Sequence, residues 1–150
     1  SGFGDAYLFF FVPKFSYSQN VQAVNPKKVY SIDTGLVNAN SVSFNEDKGR
    51  IFENMVFLHL RRLYSRIYYY AEKKECDFIV FREKQKPEII QVCLELDQDN
   101  LDRELQGITE AMDFFSIKTG LIITYNQSDK FIVNGKTIHA VPFCKWAEGK

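Results

Sequence analysis

Three short apolar runs in the middle of the chain constrain its fold more than any other feature. The central run, Cys76–Phe81, is apolar at almost every position, so a strand formed by it would be buried on both faces. Its neighbours are Ile67–Tyr70, which is β-branched and aromatic, and Glu88–Leu94, which follows a charged loop ending in a proline. A strand buried on both faces needs a layer of helices on either side of its sheet.

Two amphipathic segments supply those helices. Apolar residues recur at helical spacing (Phe52, Val56 and Leu60) in the segment Glu46–Tyr64. The second predicted helix is Asp99–Phe115. The resulting order is β, β, then αβββαβ and a closing β, which predicts an α/β fold with a mixed central sheet flanked by helices. The other predicted strands are one near Ala6–Val12, broken at Pro13, and those at Val29–Ile32, Leu121–Tyr125 and Ile138–Val141. A polar connection is predicted over Ser16–Asn25 and a helical turn over Pro142–Lys150. Asp33 is predicted to cap a short following helix, and Asp97 or Asp99 to cap the second long helix.

Length and composition describe one globular domain. The chain has 150 residues, of which 45% are hydrophobic and 25% are charged, which argues against disorder. No apolar run approaches the roughly 20 residues that a membrane span needs, and no signal peptide is visible. Three cysteines without a CxxC pair favour a reducing, cytoplasmic compartment over a disulfide framework or a zinc site. The sequence does not begin with methionine and reads as a module of a longer polypeptide, with a linking segment at 1–26 and a domain at 27–150.

Charge is balanced overall, with 19 basic and 19 acidic side chains, but it is unevenly distributed. The segment Arg61–Lys86 holds eight basic residues and four acidic ones, whereas Glu95–Asp113 holds seven acids and a single basic residue, Arg103. Two interpretations remain open: two solvated faces, or a basic rim that receives a polyanion. The candidate nucleic-acid contacts in the basic segment are Arg61, Arg62, Arg66, Lys73 and Lys74.

Polar residues stand at several positions where the pattern calls for apolar ones. Glu53 falls on the apolar stripe of the first long helix, and Asp77 opens the most buried strand, where strict alternation places it on one face with Ile79. Gln91 and Cys93 share one face of the next strand. If the two strands form a hairpin, these side chains converge with Glu53 on one buried patch. An ionised carboxylate is costly in such a place unless a cation or several donors satisfy it.

This arrangement resembles the PD-(D/E)XK, or restriction-endonuclease-like, nuclease fold. The sequence motifs are most similar to those of one branch of this fold, a domain of unknown function found C-terminal to the nucleotide-binding domain of many bacterial and archaeal AAA-type ATPases. The resemblance covers roughly Tyr7 to Trp146. The matching stretches are Lys28–Leu36, Gly49–Val56, Glu75–Val80, Gln91–Cys93, Arg103–Leu105 and Val141–Pro142 before Trp146.

The resemblance implies a set of roles. In active members of the nuclease fold, two carboxylates hold Mg²⁺ or Mn²⁺, and a lysine orients the attacking water. Glu53 and Asp77 would be the helix carboxylate and the principal metal ligand, with Gln91 as a weak third ligand in place of the second acid. Cys93 stands where the lysine belongs, and the candidates for a cation that replaces this lysine from elsewhere in the chain are Lys73, Lys74 and Arg103.

These departures lead us to expect a catalytically degenerate module that requires no cofactor and acts in nucleic-acid binding or in regulation of its ATPase. The expected partners are DNA and the rest of the ATPase polypeptide, through which oligomers can form, and no membrane. The chain itself lacks the G-x-x-x-x-G-K-[ST] loop of ATP-binding domains. The alternatives are an active Mg²⁺-dependent nuclease and a pure protein-interaction domain with an exposed apolar patch at Tyr7–Val12. A structural role is expected for Glu75 and Arg103, as an ion pair that ties the second helix to the sheet edge.

Overall fold

The computed structural model describes residues 8–32 and 45–149. These residues form a six-stranded mixed sheet, a separate two-stranded sheet, two long helices and two short ones. No helix within these ranges is long and apolar enough to span a membrane. The helices are α1 (Gln19–Val24), α2 (Asn45–Leu63), α3 (Leu101–Phe114) and α4 (Phe143–Glu148). The strands are β1 (Phe9–Pro13), β2 (Lys27–Ser31), β3 (Arg66–Ala71), β4 (Glu75–Phe81), β5 (Glu88–Val92), β6 (Thr119–Thr124), β7 (Asp129–Val133) and β8 (Lys136–Pro142).

The central sheet has the strand order β3-β4-β5-β6-β8-β7. Strands β3, β4 and β5 run antiparallel to one another, β5, β6 and β8 are parallel, and β7 is antiparallel to β8. The order α2-β3-β4-β5-α3-β6 is the αβββαβ arrangement that the sequence predicts, so the mixed α/β fold is confirmed. The charged loop between β4 and β5 is a hairpin connection, also as predicted.

Two hydrophobic cores lie on the two faces of the sheet. On one face, the apolar stripe of α2 packs against Phe78 and Val80 of β4, together with the inner side of the β1–β2 sheet and Trp146 of α4. On the other face, α3 packs against Cys76 and Ile79 of β4 and against β5, β6 and β8. The strand β4 is therefore buried on both faces, which accounts for its nearly continuous apolar sequence.

The alternation expected along β4 is interrupted by a β-bulge. Tyr68 of β3 pairs with Ile79, and Tyr70 pairs with Cys76, so β4 contains one more residue than β3 over this interval. Cys76 consequently joins Ile79 in the α3 core, and the predicted strict alternation, which places Asp77 on one face with Ile79, does not hold at this end of β4. The bulge lies at Asp77 and its neighbours and decides where that side chain points.

The β1–β2 sheet covers the α2 side of the fold and continues into the edge of the main sheet. Its two strands are antiparallel, and Phe11 pairs with Val29. Immediately after β1, Lys14 forms an isolated bridge with Tyr69 of β3, and the N–H of Phe15 donates to the Tyr69 carbonyl at 2.7 Å. The chain thus lines the outer edge of β3 before it turns into α1.

Several predicted details differ from the structure. The first strand extends through Pro13 instead of ending before it, and the predicted polar connection contains α1. The strand β7 was not predicted, and the N-cap of α3 is Asn100 instead of Asp97 or Asp99. Asp97 instead accepts from the N–H groups of Asp99 and Asn100 just before the helix. The predicted cap at Asp33 lies outside the described residues.

Candidate functional site

Glu53 projects from α2 toward the hydroxyl of Tyr30 on β2. The Tyr30 hydroxyl donates to Glu53 Oε2 at 2.6 Å. Tyr30 is only 5% exposed and stacks on Phe57 of α2, with ring centroids 4.4 Å apart. Burial, followed by the nearby Glu53 carboxylate, raises the pKa of Tyr30, so the phenol keeps its proton and remains a donor. The carboxylate on the apolar stripe is therefore satisfied from β2.

A second pair of contacts joins the same helix to the same strand. The side-chain amide of Asn54 donates to the Ser31 carbonyl at 2.7 Å, and the Ser31 N–H donates to Asn54 Oδ1 at 2.9 Å. The amide thus reproduces the hydrogen bonds of a neighbouring strand. Together with Tyr30, these bonds fix β2 against α2.

Asp77 lies at the start of β4 with its side chain 15% exposed. Its Oδ2 accepts the N–H of Val92 at 2.8 Å, and its Oδ1 is 3.5 Å from the ammonium nitrogen of Lys28. Burial and the Glu53 carboxylate raise the pKa of Asp77, and Lys28 and the Val92 N–H offset only part of that effect. Glu53 and Asp77 therefore lie close enough to interact, as the sequence predicts.

Lys28, on the inner side of β2, holds the acids together. Its Nζ is 2.6 Å from Glu75 Oε1 and 3.5 Å from Asp77 Oδ1, and it lies 5.1 Å from the ring centroid of Tyr69. Burial alone would lower the pKa of Lys28, but the carboxylates of Asp77, Glu53 and Glu75 outweigh it and raise the pKa. Lys28 is therefore a stable ammonium in contact with two carboxylates.

Gln91 is 4% exposed, and its amide bonds to the backbone of neighbouring elements. Its Oε1 accepts the N–H of Asp77 at 2.8 Å, and its Nε2 donates to the carbonyls of Glu75 at 3.3 Å and Glu104 at 3.5 Å. The helix α3 can approach this closely because Gly107 lacks a side chain. A Cβ there would lie 2.3 Å from the Glu75 carbonyl oxygen and 2.8 Å from Gln91 Nε2. Gln91 thus joins β4, β5 and α3.

Cys93 follows β5 and is 9% exposed. Its thiol donates to the Glu95 carbonyl at 3.3 Å. Burial and the nearby Glu104 carboxylate raise the pKa of Cys93 to about 12. The residue is therefore a neutral thiol at physiological pH, and it contributes neither the cation of an active nuclease nor a thiolate.

Two adjoining cavities open over these residues. One, of about 420 Å³, is lined by Glu53, Asp77 and Gln91, and the other, of about 660 Å³, is lined by Glu53 and Cys93. The first cavity carries four acids and three bases, and Lys28 adds a fourth cation next to it. The site is consequently close to charge-neutral. The charged residues that line the first cavity are Glu53, Glu75, Asp77, Glu104, Lys73, Lys74 and Arg103.

The candidate nucleic-acid residues separate into two groups. Lys73 and Lys74 follow β3 and line the first cavity. Arg62 is nine residues beyond Glu53 on α2, or about 13 Å along the helix axis. Arg61 and Arg66 flank it in the chain, and their guanidinium groups lie 4.1 Å from the ring centroid of Phe10 and 4.7 Å from that of Phe81, respectively.

The structure changes the expected roles of several charged residues. Arg103 pairs with Glu104 of its own helix at 3.4 Å, so the predicted ion pair from this helix to the sheet edge is wrong. Glu75 pairs with Lys28 instead. The cation beside Asp77 is not one of the lysines considered from the sequence. Lys28 and Tyr30 were missed as site residues, although their i, i+2 spacing on a short strand places both side chains on one face.

A divalent cation does not fit this arrangement. The described residues include no group of three or more His, Cys, Asp or Glu side chains able to hold a metal ion. The Asp77 oxygens contact an N–H and an ammonium, Glu53 accepts from a phenol, and the Gln91 oxygen accepts from the backbone. Mg²⁺ prefers about six oxygen ligands with ideal geometry, and here the Asp77 and Glu75 oxygens that could contribute to such a set already contact the Lys28 ammonium.

Comparison with known proteins assigns the chain to a family. Residues 48–146 match the family described as a domain of unknown function (DUF4143). The chain belongs to this family. It is also similar to the uncharacterized protein MJ1544 of Methanocaldococcus jannaschii, with 40% identity over 159 residues. That alignment covers 97% of this chain and 34% of the relative, so the chain spans about a third of that protein's length.

Proposed function

We propose that the chain is a catalytically inactive, nuclease-like module at the C-terminal end of an AAA-type ATPase. One observation carries the loss of catalysis: the Lys28 ammonium contacts the Glu75 and Asp77 carboxylates at 2.6 and 3.5 Å. The αβββαβ order and the proximity of Glu53 to Asp77 support kinship with the restriction-endonuclease-like fold. The length of the archaeal relative, of which the chain covers 34%, supports a larger parent protein.

The module binds nucleic acid through what we call the basic rim, formed by Arg61, Arg62, Arg66 and Arg82. The end of α2, the start of β3 and the residue after β4 bring these four arginines to one end of the sheet, because Arg66 pairs with Phe81. The opposite end carries balanced charge around the first cavity. A phosphate backbone is therefore attracted to the rim more strongly than to the former catalytic site.

The test is binding of fluorescein-labelled duplex DNA, measured by anisotropy at two salt concentrations. If three of the four rim arginines each contact one phosphate, affinity falls roughly 40-fold between about 50 and 200 mM salt. The double variant R62E/R66E should weaken binding by about tenfold or more. The matched control K73E/K74E reverses the same number of charges at the other end of β3 and should change affinity by less than about twofold.

Three outcomes would contradict this proposal. Affinity that does not change with salt would exclude phosphate contacts. Greater loss in K73E/K74E than in R62E/R66E would place the nucleic acid over the cavity. Cleavage of DNA that requires Mg²⁺ or Mn²⁺ and is abolished by Asp77→Ala would establish the alternative of an active nuclease.

A second candidate function, protein interaction, is favoured by the outer face of the β1–β2 sheet. Phe11 and Val29, which pair across the two strands, are 63% and 54% exposed, and Phe9, two residues before Phe11 on the same face of β1, is 53% exposed. Contiguous exposed apolar surface is typical of interaction sites. Sedimentation of Phe11→Glu beside the unchanged protein tests this function, since loss of a concentration-dependent oligomer would support it and identical sedimentation would not.

The proposed compartment is the cytoplasm. All three cysteines are free thiols, and Cys76 and Cys93 are buried. Free buried thiols suit a reducing environment. The proposed partners are DNA and the remainder of the ATPase polypeptide, through which an oligomer forms.

A further inference from the structure

The strand β2 presents two donors to the acids of the candidate site. Lys28 and Tyr30 are two residues apart and so project from the same face of the strand. The ammonium contacts carboxylates at the start of β4, and the phenol contacts Glu53 on α2. One short strand therefore satisfies acids that come from two other elements.

The Lys28 side chain is held in place by more than its ion pairs. It is 23% exposed and lies over the Tyr69 ring at 5.1 Å from the ring centroid. The Tyr69 hydroxyl donates to the Pro26 carbonyl at 2.6 Å, just before β2 begins. An aromatic ring below the ammonium and carboxylates beside it form a cation-binding environment built from protein groups.

We infer that Lys28 is the resident cation of this site: a tethered ammonium neutralises the acids that a divalent metal would otherwise need as ligands, and it excludes such a metal. A mobile ion would have to displace a cation that cannot leave, because β2 is pinned to α2 by the Asn54–Ser31 bonds. The contacts of Lys28 with Glu75 and Asp77 also join the β1–β2 sheet to β4 of the main sheet. The ammonium therefore supplies positive charge in place of a metal and also secures the strand that covers the site.

This inference rests on the nuclease-like character proposed above and goes beyond DNA binding, because the acids and Lys28 lie at the opposite end of β3 from the basic rim. It also explains the substitution of Gln91 for an acid. With a permanent cation of single charge, one further carboxylate would leave excess buried negative charge. A neutral amide keeps the hydrogen bonds to the backbone without that cost.

The experiment compares Mn²⁺ binding by the unchanged protein and by Lys28→Met, which keeps the apolar stem and removes the charge. Free Mn²⁺ is counted by electron paramagnetic resonance, and melting is followed as Mn²⁺ is added. We expect the variant to bind about one Mn²⁺ per chain, roughly tenfold more tightly than the unchanged protein, and to melt at higher temperature as Mn²⁺ increases. Lys28→Arg should restore exclusion of the ion.

The matched control is Lys73→Met, which removes a charge from the wall of the same cavity without touching a contact of Lys28. It should bind no more Mn²⁺ than the unchanged protein. Equal binding by the two methionine variants would overturn the inference, because any loss of positive charge would then suffice. Tight Mn²⁺ binding by the unchanged protein would overturn it as well.

A measurement on the unchanged protein covers the case in which Lys28→Met does not fold. The Lys28 ammonium protons should exchange slowly with water in heteronuclear NMR spectra and should not respond to millimolar Mg²⁺. Asp77→Asn should accelerate that exchange. Rapid exchange in the unchanged protein, or displacement of the signal by Mg²⁺, would contradict the inference. Neither result depends on whether DNA binds.

Discussion

Gly107 offers a direct test of how tightly α3 packs against the candidate site. An alanine Cβ at this position would lie 2.3 Å from the Glu75 carbonyl oxygen and 2.8 Å from Gln91 Nε2. The first distance is about 1 Å too short, and the atom belongs to a strand backbone that cannot rotate away. The helix must therefore shift from the sheet, or the amide of Gln91 must leave its hydrogen bonds.

The expected cost follows from two opposing effects. Overpacking of this kind costs up to about 3 kcal/mol, whereas alanine gains about 1 kcal/mol over glycine within a helix. Gly107→Ala should thus lower the free energy of unfolding by about 2 kcal/mol. For a chain of 150 residues, this corresponds to a melting temperature lower by about 4–8 °C.

Gly49 in α2 provides the matched control, because a Cβ there meets no atom within 4 Å. Gly49→Ala should stabilise the protein by up to about 1 kcal/mol through helix propensity alone. Both variants are measured by urea unfolding followed by circular dichroism. If Gly107→Ala is as stable as the unchanged protein while Gly49→Ala is stabilised, the close contact between α3 and β4 is not present in solution.

Three further predictions concern individual side chains. The folded-state pKa of Asp77 is raised from 3.8 to about 7. The protonated side chain therefore contributes fully to the free energy of unfolding below about pH 4, and this contribution is lost as pH rises through about 7. In urea unfolding measured across this pH range, Asp77→Asn should remove the fall in the free energy of unfolding. Asn54→Ala should cost about 2 kcal/mol, measured in the same way, because Ser31 loses two hydrogen bonds. Cys144 is the exposed thiol, so a colorimetric thiol reagent should titrate about one equivalent rapidly under native conditions and the other two cysteines only in denaturant; rapid reaction of a second thiol would contradict the burial.

The sequence predicts the central fold well because the signals there are local. Helical spacing of apolar residues marks α2, and the proline at the end of a charged loop marks the β4–β5 hairpin. The strand β7 was missed because it alternates weakly and is largely exposed. A usable signal was present: Asn134-Gly135, both with positive φ, form the tight turn between β7 and β8.

The candidate site was predicted only in part, since its cation arrives from a distant segment. Glu53, Asp77 and Gln91 stand out individually as polar residues within apolar patterns. Lys28 does not, because a lysine on a short, partly exposed strand is common. Its role depends on β2 lying beside the start of β4, and on the bulge that sets the direction of Asp77. Neither feature follows from periodicity.

The segment after β1 also influences how the protein behaves among copies of itself. The main-chain groups of an edge strand can recruit a strand from another molecule. At Tyr69 of β3 that opportunity is already taken by Lys14 and Phe15 of the same chain. Removing the first strand would expose the main-chain groups of Tyr69 to solvent and favour strand addition between molecules. The segment after β1 therefore also protects the protein against aggregation.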